Sequence, residues 1–230
     1  MKNKNLLQIL FVFLMMHLFP VTNIFAQGND YFDCSEFYSD VKTFNAIEDY
    51  SNRSRAKGIM EMGKMNTEKA IHWQYVISAQ DSLNAKQFMK TVKRWQNQAF
   101  KSDQVVKEES DHHIIYNVHF PQVALVTGYM SATAISVNLL MKIEVKEDRI
   151  RVTGNIQHYS MGTANLGGAS SKLIVVGEAF PFVNTKKKES FSMAYINSNV
   201  RTINLIDNFF TYINKNYNTV EEQIKEEEDW

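Results

Sequence analysis

The sequence predicts an α+β fold: an antiparallel sheet with two helices packed on one face, preceded by a helical or irregular N-terminal extension. Three observations lead there. Ile71, Trp73, Tyr75 and Ile77 share one parity while His72, Gln74 and Ser78 share the other, the period-two signature of a strand with one dry face. Ile135, Val137, Leu139, Met141, Ile143 and Val145 alternate with Ser136, Asn138, Lys142, Glu144 and Lys146; past Glu147-Asp148, Ile150, Val152, Gly154 and Ile156 alternate with Arg151, Thr153, Asn155 and Gln157. That pattern predicts a long antiparallel hairpin with one dry and one wet side. Finally, two stretches repeat apolar residues at intervals of three and four: Ala85, Phe88, Val92, Trp95 and Ala99, then Val200, Ile203, Ile206, Phe210, Ile213 and Tyr217. Each is the stripe of an amphipathic helix, able to cover the dry side of the sheet.

The chain begins with an address. Lys2 and Lys4 precede an apolar run over 6–18, and Ile24-Phe25-Ala26 ends in a small residue, so a secretory signal cleaved after Ala26 is expected. The run is shorter than the roughly 20 residues a spanning helix needs, so the mature form is expected to carry no integral membrane span and to be periplasmic or secreted. The 25 basic and 25 acidic side chains balance, a composition that implies no nucleic-acid partner. Cys34 is the one cysteine, which excludes an internal disulfide. Tyr31-Phe32-Asp33 before it lacks the small apolar residues of a lipoprotein signal, and the acidic neighbours Asp33 and Glu36 oppose thiolate formation, so a packed or idle thiol is expected.

The remaining elements follow in order. Within the extension, 27–66, Phe37, Val41 and Phe44 keep helical spacing, with Asp33 or Ser35 as cap. Polar Asn52-Arg53-Ser54-Arg55 and the interruptions at Gly58 and Gly63 then predict a linker with a weak strand. The main domain is expected over 67–218. After the first strand and helix, 104–110 and 112–120 read as strands joined near Ser110-Asp111, the second with Ile114, Tyr116, Val118 and Phe120 on one face and His113, Asn117 and His119 on the other with Ile115. Pro121 and Gly128 make 121–134 either an irregular crossing or a bent strand. Gly162, Gly167 and Gly168 predict a mobile loop over 160–172, with 173–183 as one more strand or an edge segment. The acidic tail, 219–230, either prolongs the last helix or frays.

This order, strand, helix, three or four antiparallel strands, helix, resembles the TATA-binding-protein-like (TBP-like) fold, β-α-β(4)-α, in which a curved sheet carries its helices on one side. More closely, 68–159 is similar to a domain of unknown function with that fold in secreted proteins of Gram-negative bacteria. The likeness is carried by the strand IHWQYVI from Ile71, the helix end Val92-Lys93-Arg94-Trp95, the exit Phe100-Lys101-Ser102 and the hairpin MKIEVKEDRIRV from Met141. It implies the curved sheet and no established activity. Asp111-His112-His113, where that family has a glycine-bearing turn, and the segment 160–188 depart from it.

Candidate chemistry is sparse. His113 and His119 lie about 20 Å apart along one strand, too far to share a metal; Asp111 with His113, or His72 with His119, are pairings a sheet could create. No metal-ligand spacing, nucleophile elbow or phosphate loop is present; Ser39 with Lys42 matches a short string that arises by chance. Trp73 and Trp95 lie on apolar faces and are expected in the core, and Lys186-Lys187-Lys188 in a solvated turn. What invites binding is the wet side of the sheet: His72, Gln74, His113, Asn117, His119, Asn138, Arg151, Asn155 and Gln157, joined by Lys142, Glu144 and Thr153. The expectation is a non-catalytic binding or interaction module of the cell envelope, without cofactor, catalytic residue or metal, contacting an envelope protein or polymer. The alternative is an envelope hydrolase or metal-dependent enzyme using the histidine-bearing face.

Overall fold

Alternating stretches form strands and striped stretches form helices in the computed structural model, which describes residues 31–47, 51–62, 64–100, 105–127, 131–165, 168–179 and 188–228. The expected signal segment, Lys186-Lys187 and the last two residues lie outside them. In order the elements are α1 (Ser35–Asn45), α2 (Asn52–Glu61), β1 (Ile71–Ser78), α3 (Ala85–Ala99), β2 (Val106–Glu109), β3 (His113–Thr127), β4 (Ser131–Lys146), β5 (Arg149–Ile156), β6 (His158–Asn165), β7 (Gly168–Val175), α4 (Val176–Ala179) and α5 (Lys188–Glu228). The architecture is α+β, a curled antiparallel sheet backed by helices, as the alternation and the stripes predict.

The strands pair in the order β1-β5-β4-β3-β2, and β6 joins β4 to β7. This topology follows from length. β4 has 16 residues and β5 has 8, so β5 pairs with the second half of β4, from Leu140↔Asn155 to Lys146↔Arg149, and leaves the first half without a partner on that side. β6 supplies it, from Ser131↔Asn165 to Val137↔Tyr159. The expected loop over 160–172 is therefore a hairpin of two strands, which adds to the four strands expected after α3. Its glycines and serines have little strand propensity of their own; Tyr159 and Met161 turn inward, and the Thr133 and Thr163 hydroxyls meet at 2.9 Å across the pair. Beyond it, β7 ends at Val175 and the chain turns into short α4.

Two irregularities bend the sheet along one line. Between Leu140↔Asn155 and Val137↔Tyr159, two residues of β4 face three of the β5–β6 strand. On the other side, the register between β3 and β4 shifts between Phe120 and Ala124, where Gln122 takes a φ of 48° and donates its N–H to Ser136 Oγ at 3.2 Å. Such bulges increase local bending and twist, and the β3 bulge is where Pro121 is accommodated without interrupting the ladder. Of the two readings of 121–134, the bent strand is the one observed.

Helices α3 and α5 cover the dry side. Trp73 and Trp95 are buried at 0% and 1% exposure, as expected of core residues, and each indole N–H donates to an asparagine of α5: Trp73 to Asn199 Oδ1 at 2.9 Å, Trp95 to Asn208 Oδ1 at 2.8 Å. Further along α5, Asn197 donates to the Val123 carbonyl and Arg201 to that of Pro121, both in the β3 bulge, and Asn214 Oδ1 accepts the Phe32 N–H. The stripe thus supplies apolar contact and its polar flank fixes the register of the helix against each layer. Before β1, α1 forms as predicted and buries Phe37, Val41 and Phe44; the Phe37 ring lies 5.3 Å from Tyr75 and 5.0 Å from Phe210. A second helix, α2, stands where a linker with a weak strand was expected: Ser51 caps it by accepting the Ser54 N–H, and Ala56 and Ile59 are buried. A mean polar composition hid those two inward positions.

Candidate binding face

The parity opposite the helices is open among the described residues, and the ladder registers order it into rows. One row runs His72, Asn155, Leu140, Asn117; the next Gln74, Thr153, Lys142, Ile115; the third Val76, Arg151, Glu144, His113. Alternation placed the polar members of these rows on the open side. It placed Ile115 among them but did not foresee Leu140 and Val76, Val76 at 49% exposure, so the face mixes amide, charge and aliphatic surface. Gln157 stands apart: it falls in the bulge between β5 and β6, its side chain is exposed, and its carbonyl accepts the Val176 N–H at 2.9 Å.

The histidines do not converge. His72 on β1 and His119 on β3 are separated by β5 and β4, about 14 Å at 4.8 Å per strand, so they cannot pair. His119 instead places Nδ1 2.8 Å from Asn138 Oδ1, the residue directly opposite it. His113 pairs with neither Asp111 nor another histidine but with Glu108, Nε2 to Oε1 at 2.9 Å, and with Ser110, Nδ1 to Oγ at 2.7 Å. Hydroxyl, imidazole and carboxylate match the membership of a hydrolytic triad. Their geometry closes a turn: Ser110 Oγ accepts the N–H groups of His112 and His113 at 3.3 and 3.1 Å, and Ser110 N–H donates to the His113 carbonyl at 2.8 Å. The amides that flank the hydroxyl point at Oγ itself rather than at a developing oxyanion, and the group lies at an exposed hairpin end. Among the described residues no group of three or more His, Cys, Asp or Glu side chains is placed to hold a metal.

The strongest electrostatic feature is a triad of charge on adjacent strands. Arg151 reaches Glu144 Oε2 at 2.6 Å and Lys142 reaches Oε1 at 2.9 Å. The Arg151 hydrogen bond, aided by that of Lys142, holds the Glu144 carboxyl down at about 2 against its ordinary 4.5, and raises the Arg151 guanidinium in turn. Beside this satisfied cluster is an unsatisfied pair. His72 Nδ1 and Asn155 Oδ1, on residues directly opposite each other, are both shielded from solvent and have no hydrogen-bond partner among the described residues. Across the bulge line the open face changes character: Ser136, Ser160, Ala134 and Gly162 form a floor of small residues, with Leu125 at 51% and Leu173 at 67% exposure beside it.

Fold and face together define a curled antiparallel α+β sheet, backed by helices and open on a mixed polar side. Among solved structures the chain is similar to a TBP-like protein from Parabacteroides distasonis ATCC 8503, with 12% identity and a TM-score of 0.45, over 66% of this chain and 96% of that one. No protein-family model matches the sequence, and no curated protein matches it.

Proposed function

We propose that the protein is an exported, non-catalytic binding module of the cell envelope, akin to secreted domains of unknown function with a TBP-like fold, and that it holds an envelope protein or polymer on the open side of its sheet. The observation that carries this reading is the pair His72 Nδ1 and Asn155 Oδ1, on β1 and β5, which has no hydrogen-bond partner among the described residues. Polar atoms shielded from bulk water and left without a protein partner cost free energy, and a ligand that hydrogen-bonds to them recovers it. Gln74, Asn117 and Asn138 offer further amides around the pair, and Leu140 and Ile115 offer aliphatic contact. Export rests on the basic start, the apolar run and the small residue at Ala26.

Two measurements test it. Expression of the full chain in a Gram-negative host should yield an envelope-fraction product that begins at Gln27; a cytoplasmic product retaining Met1 overturns export. The purified protein should co-sediment with isolated envelope material, and the double substitution Arg151→Ala with Asn155→Ala should weaken that binding about tenfold or more while circular dichroism stays unchanged. Equal retention of the folded double variant overturns the assignment of the face.

A further inference from the structure

Among the described residues β1, β2 and β7 are edge strands of the sheet, and they are protected unequally. β2 is four residues long, carries Lys107, Glu108 and Glu109, and is broken by a register shift between Val106 and Glu108. Short length, charge and irregularity are the ordinary defences of an edge strand. The border of β1 is occupied: Met65 bridges Ile71, Phe32 bridges Ala79, and His72 N–H donates to the Lys64 carbonyl at 3.0 Å. β7 has none of this. It runs eight residues in unbroken register with β6, from His158↔Val175 to Asn165↔Gly168, and six of the eight are exposed. It contains no proline and no bulge, its one charge is Lys172, and among the described residues no strand pairs with its outer side.

We infer that β7 is a self-association edge, which pairs antiparallel with β7 of a second copy of this chain across a two-fold axis. A row of free backbone donors and acceptors accepts any strand, so the choice of partner rests on side chains. Its open-face neighbours on β6 are the small residues Ser160 and Gly162, which offer a foreign sequence little side-chain relief to be read against. The strand is, however, complementary to itself. Centred on Ser171, antiparallel pairing sets Ala169 against Leu173 and Ser170 against Lys172, so the most exposed leucine meets a small residue and no like charges face each other. With Lys2 and Lys4 removed by the proposed cleavage after Ala26, 23 basic residues stand against 25 acidic ones, a net charge of −2 that adds little long-range repulsion between copies. The pairing joins two open sheet faces into one continuous surface, which goes beyond the binding role of either alone.

One strand pair buries less than a standard interface, so the dimer is expected to be weak and its mass to depend on concentration. Sedimentation of the purified chain should show the average mass rising from one copy towards two as concentration rises through the micromolar to the hundred-micromolar range. Backbone amide exchange in β7 should slow over the same range. The double substitution Ser171→Lys with Leu173→Lys should abolish both effects and leave the melting temperature of the dilute protein unchanged; Leu173→Ala alone tests the edge if the double variant fails to fold, and should weaken association several-fold. A protein that stays monomeric throughout, a concentration-independent protection of the β7 amides, or dimers of undiminished strength in the folded variants would each overturn the inference.

Discussion

At the scale of single residues, two side chains show how the same chemistry has different weight in different places. Asn199 is fully buried and makes two bonds at once, accepting from Trp73 and donating to the Tyr195 carbonyl at 2.8 Å. Asn199→Ala leaves the buried Trp73 indole N–H unpaired, while the Tyr195 carbonyl keeps its helical N–H partner, and this should cost about 1–3 kcal/mol in urea denaturation. Asn208, which accepts from Trp95 at the surface, should cost less than about 1.5 kcal/mol when replaced by alanine, because water takes its place. Glu144 is instead a question of pH. Its folded pKa is lowered to about 2 from 4.5, chiefly by Arg151, so the stabilisation it contributes is complete above the unfolded value and is lost as pH falls from 4.5 towards 2. Glu144 is partly exposed, and solvent screening keeps that contribution to about 1 kcal/mol or less. Glu144→Gln should therefore flatten the slope of stability against pH in that window and leave the neutral-pH melting temperature nearly unchanged. Alternation told which face these residues share. It could not tell which neighbour each would meet, because a partner across a ladder is fixed by register between segments far apart in sequence.

At the scale of elements, the junction between β7 and β1 is the informative one. Gly177 N–H donates to the Lys69 carbonyl at 2.8 Å, and a Cβ on Gly177 would lie 2.2 Å from Lys69 Cβ and 3.0 Å from that carbonyl oxygen. Lys69 is itself held at a φ of 61°. Backbone of α4 is thus pressed against the approach to β1, and only glycine fits. Gly177→Ala should destabilise by about 1–3 kcal/mol, read as a lowered urea midpoint, and should raise amide exchange in β6 and β7 before the rest of the sheet. The hairpin concerned was the least legible part of the chain. β1, β4, β5 and α3 each carry a period that sterics and burial impose locally; β6 and β7 carry serine, alanine and glycine with two inward residues, Tyr159 and Met161, and exist as strands because the overhang of β4 needs hydrogen-bond partners.

At the scale of the whole molecule, the helices before β1 share the core of the sheet. Tyr31 to Trp230 forms one compact unit, and within it Phe37 is fully buried against Tyr75 and Phe210. Phe37→Ala should cost about 3–5 kcal/mol, the usual effect of emptying a core aromatic site. The segment 67–218 expressed alone should expose the surfaces of Phe210, Tyr75 and Trp73 that Phe37 and Phe44 of α1 cover, and should aggregate or bind hydrophobic dye; a stable, monomeric fragment would show that the first helices are an appendage. What the sequence by itself determined was everything periodic: β1, the strand stretches 113–120 and 135–156, the stripes of α3 and α5, the inward tryptophans and the polar parity of the open face. These depend on the geometry of one segment and on which side chains avoid water. Only the tertiary structure decided the bend along the Pro121 and Gln157 bulges, the two strands of low propensity, the dispersal of the histidines and the unequal borders of the sheet. Each of those is a relation between segments, set by the length mismatch of β4 and β5 and by the bulges that absorb it, and no local pattern encodes a relation of that kind.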